Sequence, residues 1–191
     1  MIEVLTLLLG AVLVHNPVVV SALGLSPAVV LARRLEVATG MARVSLVVVP
    51  LLALLAFLLD RAFDLPPGLA ALRVLLLFPL IAALLLAGRS LLLRLHPRWE
   101  PRYGVYLPLF AVGSLAPGCV LLTLERAGGA GEALVTGLGL GAGYALVQLL
   151  LAGVHLRIAP AAVPASLRGG PVVILSLALL MMAFGGMVRP P

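Results

Sequence analysis

The sequence predicts an all-α membrane protein with six transmembrane helices, arranged as an inverted 3+3 repeat whose first and fourth helices are broken. Three observations predict it. The 191 residues are 63% hydrophobic and only 10% charged, whereas soluble domains carry about 25% charged residues. The apolar residues fall into long continuous runs separated by short arginine-bearing stretches. Proline and glycine interrupt two of those runs, in corresponding halves of the chain. So apolar a chain cannot cover a water-soluble globule of this size. A soluble enzyme and a disordered chain are excluded, and with Cys 1 so is a disulfide scaffold. The length fits one membrane domain over residues 1–191, with repeat one at about 1–95 and repeat two at about 103–191.

A spanning helix needs about 20 mostly apolar residues. Residues 4–32 form the first run, without formal charge and too long for one simple span. It starts with Glu3 and no basic residue, which argues for a span rather than a cleaved leader. Residues 44–59 are the second, extendable back through 38–43. Residues 69–88 are the third, with Arg73 near the start. Residues 104–124 and 133–154 are uncharged, and 169–188 form the last span. The runs are continuous in Leu, Ala and Val, without the period-two alternation of a membrane barrel.

The net charge is +6 and all 13 basic residues are arginine. They lie between apolar runs with few aromatics nearby, a pattern of loop charges and not of nucleic-acid contacts. Six crossings place Arg33, Arg34, Arg43, Arg89, Arg94, Arg98, Arg102, Arg157 and Arg168 on one side, and Arg61, Arg73, Arg126 and Arg189 on the other. The richer side is expected in the cytoplasm, which puts both termini outside the bacterial inner membrane.

The interruptions are specific. The first span carries His15-Asn16-Pro17 and then Gly24-Leu25-Ser26-Pro27. The fourth carries Leu107-Pro108-Leu109 and then Gly113-Ser114-Leu115-Ala116-Pro117-Gly118. Proline removes a backbone donor and clashes with the preceding turn. Unwound backbone survives at membrane depth only under cover of protein or around a cavity. Similar stretches lead into the third and sixth spans, Leu65-Pro66-Pro67-Gly68-Leu69 and Val163-Pro164-Ala165-Ser166-Leu167, and support a duplication. Three spans per repeat invert the second copy, a transporter design with its site between the broken helices.

Chemistry-bearing residues are few. There is no metal-spaced Cys/His cluster and no phosphate loop, and the seven acidic residues lie in loops or at span ends. An ion relay would need an intramembrane carboxylate. His15 and Asn16 are expected to bond backbone freed at the break. Gln148 is expected to make an interhelical hydrogen bond. His155 falls at a helix end, and Cys119 reads as a small buried apolar residue. Gly139 and Gly143 form a small-xxx-small pair suited to a neighbouring helix. The stretch His96-Pro97-Arg98-Trp99-Glu100-Pro101-Arg102-Tyr103 reads as an interfacial anchor.

Several of these segments together resemble the RnfA/NqrE-type membrane subunit of the Rnf and Na+-translocating NADH:quinone reductase complexes. The carriers are Leu13-Val14-His15-Asn16-Pro17-Val18, Gly24-Leu25-Ser26-Pro27, Arg33-Arg34-Leu35-Glu36-Val37-Ala38-Thr39-Gly40-Met41, Leu107-Pro108-Leu109 and Val163-Pro164-Ala165-Ser166-Leu167-Arg168-Gly169. The resemblance implies the inverted fold and a homologous six-span sibling of the RnfE/NqrD type. It also implies a [2Fe–2S] cluster shared between the siblings, with one cysteine from each broken helix. Those cysteine positions fall on Ser26 and Ser114, so this chain departs from the family at both. Iron–sulfur clusters need soft thiolates, and a neutral serine hydroxyl is a weak, hard donor. The expectation is therefore a divergent member of an ion-translocating electron-transport complex, without its share of the cluster ligands and with no cofactor of its own. The alternatives are an inverted-repeat transporter or channel component, and a non-redox scaffold or assembly protein.

Overall fold

The computed structural model describes residues 8, 10, 12, 16–25, 34–63, 70–95, 104, 106–158 and 163–188. The expectations for His15, Ser26, Pro27 and the 96–103 stretch lie outside them. Among the described residues, six helices and a 3-10 turn follow one another: α1 Leu35–Phe63, α2 Ala70–Leu95, α3 Tyr106–Val112, α4 Leu115–Arg126, α5 Ala130–Ile158, the turn Ala165–Leu167, and α6 Gly170–Val188. No strand occurs among the described residues.

Two helices, over Leu35–Ala62 and Ala130–Ile158, are long and apolar enough to cross a membrane. α3 and α4 form a third, bent unit with 63° between its halves. The apolar parts of α2 and α6 are shorter, Leu76–Leu91 and Gly170–Gly186. Helices outrun the apolar windows at several ends: α2 continues to Leu95, carrying Arg89 and Arg94 within it. Long apolar stems let such arginines stay helical while their charges reach the interface.

The central element is α5. α1, α4 and α6 pack on it. Its buried Leu140, Tyr144, Val147 and Leu151 recur every three or four residues and form one stripe. They meet Met41, Val49 and Leu52 of α1, Phe110 of α3, Leu115, Cys119 and Val120 of α4, and Val173 and Leu177 of α6 in one core. The outward residues are equally apolar. Val47, Leu51 and Leu58 of α1, and Ile174, Leu179 and Met182 of α6, are about half exposed or more. A face this apolar suits hydrocarbon and not water.

α1 and α5 run antiparallel, and glycine sets their spacing. A Cβ on Gly137 would lie 2.7 Å from Pro50 Cα and from Ala53 Cβ. One on Gly141 would lie 2.8 Å from the Ser45 carbonyl oxygen. The buried Ser45 hydroxyl crosses this contact, donating to Ala42 O at 2.8 Å and to Gly141 O at 3.3 Å. The glycines that admit α1 are thus Gly137 and Gly141. Gly143 of the expected Gly139–Gly143 pair packs closely on the Asn16-Pro17 segment and not on α1. At the far end of α1, Arg61 lies over the Phe57 ring at 5.5 Å and donates to Gly128 O at 3.3 Å. The Glu132 carboxylate accepts from Gly128 N–H at 2.8 Å, closing the start of α5.

Candidate functional site

The two interruptions meet each other. Residues 16–25 are mostly turns. Val20 N–H donates to Asn16 O at 3.0 Å and Leu23 N–H to Pro17 O at 2.9 Å, so the segment is a tight coil. Two positive φ angles reverse its direction, Ala22 at 54° and Gly24 at 70°. Glycine adopts this region freely, whereas alanine is strained there.

Asn16 holds the coil to the molecule and is fully buried. Its Oδ1 accepts from Val18 N–H at 3.0 Å and Val19 N–H at 3.4 Å. Its Nδ2 donates to Val12 O and to Gly143 O of α5, both at 2.9 Å. The amide thus satisfies backbone that the break would leave unpaired in an apolar surrounding. Pro17 is buried beside it, and its Cδ would lie 3.3 Å from a Cβ on Gly143.

The second interruption is at Gly113-Ser114. Gly113 N–H donates to Leu109 O at 3.0 Å, ending α3, and Gly118 N–H donates to Ser114 O at 3.0 Å, opening α4. Pro117 lacks the N–H that would bond the Gly113 carbonyl, which together with Gly113 weakens a continuous helix at this point. Pro117 sits in the first turn of α4, where that donor is not needed. Pro108 sits likewise in the first turn of α3. Among the described residues, the fourth apolar run therefore breaks at Gly113-Ser114 and not at Leu107–Leu109.

Gly24 N–H donates to Ser114 Oγ at 3.1 Å, joining residues 90 apart. The Leu23 side chain lies over Gly118, whose added Cβ would fall 2.4 Å from Leu23 Cδ1. An added Cβ on Gly24 would meet Tyr144 Cε2 at 2.9 Å and Leu115 Cβ at 3.2 Å. Gly24, Gly118 and Ser114 thus allow the backbones to approach and bond. The Phe110 and Tyr144 rings, 6.3 Å apart between centroids and tilted by 58°, close the inner side. The outer side is open at the chain's surface: Val20 is 51% and Val112 91% exposed, and Ser21, Ala22 and Ser114 are exposed.

Cys119 is buried and free on α4, and no cluster of three or more His, Cys, Asp or Glu exists among the described residues. Gln148 departs from expectation. It is fully buried on α5, yet neither its Oε1 nor its Nε2 has a hydrogen-bond partner among the described residues. Tyr144 and Ser45 were not marked out by sequence pattern. The only signal for Tyr144 was an aromatic hydroxyl inside a glycine-rich apolar run.

Known proteins match this chain nearly end to end. The family model described as "Rnf-Nqr subunit, membrane protein" matches residues 4–188. The chain is 33% identical to a protein of Aromatoleum aromaticum named as the A-type subunit of an ion-translocating oxidoreductase complex, over 97% of this chain and 96% of that one. It is 33% identical to the protein of the same name in Azotobacter vinelandii over 100% of both chains. The one in Cereibacter sphaeroides is 33% identical over 94% of this chain and 93% of that one. With its bent helix pair meeting a second unwound segment, and with these matches along its length, the chain belongs to the Rnf-Nqr family of membrane subunits.

Proposed function

We propose that this chain is the A-type membrane subunit of an ion-translocating electron-transport complex of the Rnf/Nqr type. The observation that carries the reading is its similarity, over its whole length, to relatives named as the A-type component of such a complex. The finer architecture belongs to the same reading: six spans in an inverted 3+3 repeat, in the bacterial inner membrane, with both termini outside. The contact between residue 24 of the first segment and residue 114 of the second supports it, because inverted repeats place their broken helices together near the midplane.

The face around the breaks is assigned to a homologous six-span sibling of the RnfE/NqrD type. Unwound backbone at membrane depth cannot face lipid, and here Ser21, Ala22 and Ser114 are exposed at the chain's own surface. A protein partner must cover them.

The donor set at the breaks does not fit a [2Fe–2S] cluster. Ser114 is a hydroxyl already accepting from Gly24 N–H, and Ser26 occupies the other position where the family resemblance expects cysteine. Cys119 is buried in the core, more than one helical turn further along α4. The chain therefore acts in the complex by packing and by lining the sibling interface, without contributing thiolates.

Affinity purification of the tagged chain from its native membrane tests the assignment. A homologous six-span protein and flavin-bearing proteins should co-purify in fixed ratio. A stable homodimer free of such partners contradicts the reading.

A further inference from the structure

Independently of the assignment above, we infer that α5 holds a bound water between Tyr144 and Gln148, next to the contact of the two breaks. The two residues are four apart, so their side chains share one face a single turn apart. Both are fully buried. Tyr144 Oη and Gln148 Oε1 and Nε2 have no hydrogen-bond partner among the described residues, and the two side chains do not bond each other.

Buried polar side-chain atoms in native proteins are overwhelmingly paired, with protein or with ordered water. Here three such atoms fall on two side chains four residues apart on one helix face. Their chemistry selects the ligand. A hydroxyl that donates and accepts, a carbonyl that accepts and an amide that donates together match one water molecule with two to four partners. An anion would find no charge here. A metal ion would find only neutral donors on these two side chains, with no carboxylate among the buried polar residues that are described.

The same face continues to His155, whose buried Nδ1 also lacks a partner among the described residues. It lies seven residues past Gln148, about 10 Å along the axis. Leu151, fully buried, sits between them. Leu151 thus separates the Tyr144–Gln148 pair from His155.

Hydroxyl-radical footprinting of the complex in native membranes tests this, since a bound water generates radicals where bulk solvent does not reach. The internal reference is Phe110, buried to 1% and packed against Tyr144. Corrected for intrinsic reactivity, Tyr144 should label at least tenfold faster than Phe110. Gln148→Met, which keeps the volume and removes the amide, should cut the Tyr144 rate at least fivefold. Labelling of Tyr144 no faster than Phe110 overturns the inference in the wild-type protein alone, whatever the variant does. Fast Tyr144 labelling that survives Gln148→Met overturns the role given to Gln148.

Discussion

Single side chains decide whether the unwound segments can exist in a membrane. Asn16 makes four hydrogen bonds, two as acceptor and two as donor. Net values of about 0.5–1.5 kcal/mol per bond put the cost of Asn16→Ala at about 2 kcal/mol or more. Asn16→Asp should be nearly as harmful, because a carboxylate cannot donate to Val12 O and Gly143 O. Unfolding of the purified chain in mixed micelles checks both, and a loss below about 0.5 kcal/mol in either would contradict the role given to Asn16. Ser114→Ala leaves Gly24 N–H without its acceptor and should cost about 1 kcal/mol in the same assay. Ala22→Gly should act in the opposite direction. It relieves the positive φ of 54° at an exposed position and should stabilise by up to about 1 kcal/mol.

At the scale of elements, the packing of α1 on α5 depends on two glycines that meet backbone. Gly137→Ala would press a methyl against Pro50 Cα, and Gly141→Ala against Ser45 O. Neither backbone atom can turn aside as a side chain does, so each change should destabilise by about 1–3 kcal/mol. Gly185→Ala and Gly186→Ala of α6 meet nothing within 4 Å and should be neutral or slightly stabilising. Thermal unfolding of the four variants side by side checks the contrast. The positions of the helices were largely legible in the sequence, because long continuous apolar runs favour helix, and two of them with the bent pair are long and apolar enough to cross a membrane. The break at Gly113-Ser114 was legible too, since proline and glycine act through the local backbone, whereas Leu107-Pro108-Leu109 is helical because its proline falls in the first turn of α3. Which glycine meets which neighbour was not. Gly137, Gly139, Gly141 and Gly143 alternate along one run, and only the rotation of α5 against α1 and against residues 16–25 separates their tasks. The orphaned state of Gln148 was equally hidden, because an amide in an apolar run reads the same with or without a partner.

The whole molecule is an apolar body with unwound backbone opening on one face. Its antiparallel α1 and α5 put Arg61 and Gly128 at one end, and Arg34 and Arg157 at the other. On the proposed orientation, with the arginine-rich end in the cytoplasm, Gly129→Cys should react with an impermeant maleimide in intact spheroplasts. Arg157→Cys should react only after permeabilisation, and the reverse pattern would invert the orientation. At the contact of the two breaks the chain offers the Ser114 hydroxyl, already bonded to the Gly24 backbone. The chain is an Rnf-Nqr family member, and on the function proposed for it the break contact carries the Gly24 N–H to Ser114 Oγ hydrogen bond while no thiolate of this chain ligates a cluster. Iron content and low-temperature EPR of the native complex, compared with a complex carrying Ser26→Cys and Ser114→Cys together, put this to the sharpest test. The native complex should give no [2Fe–2S] signal from this chain and its sibling. The double variant should give a new one if the sibling supplies two cysteines. A stoichiometric [2Fe–2S] signal at that interface in the native complex would contradict a contact held by hydrogen bonds alone.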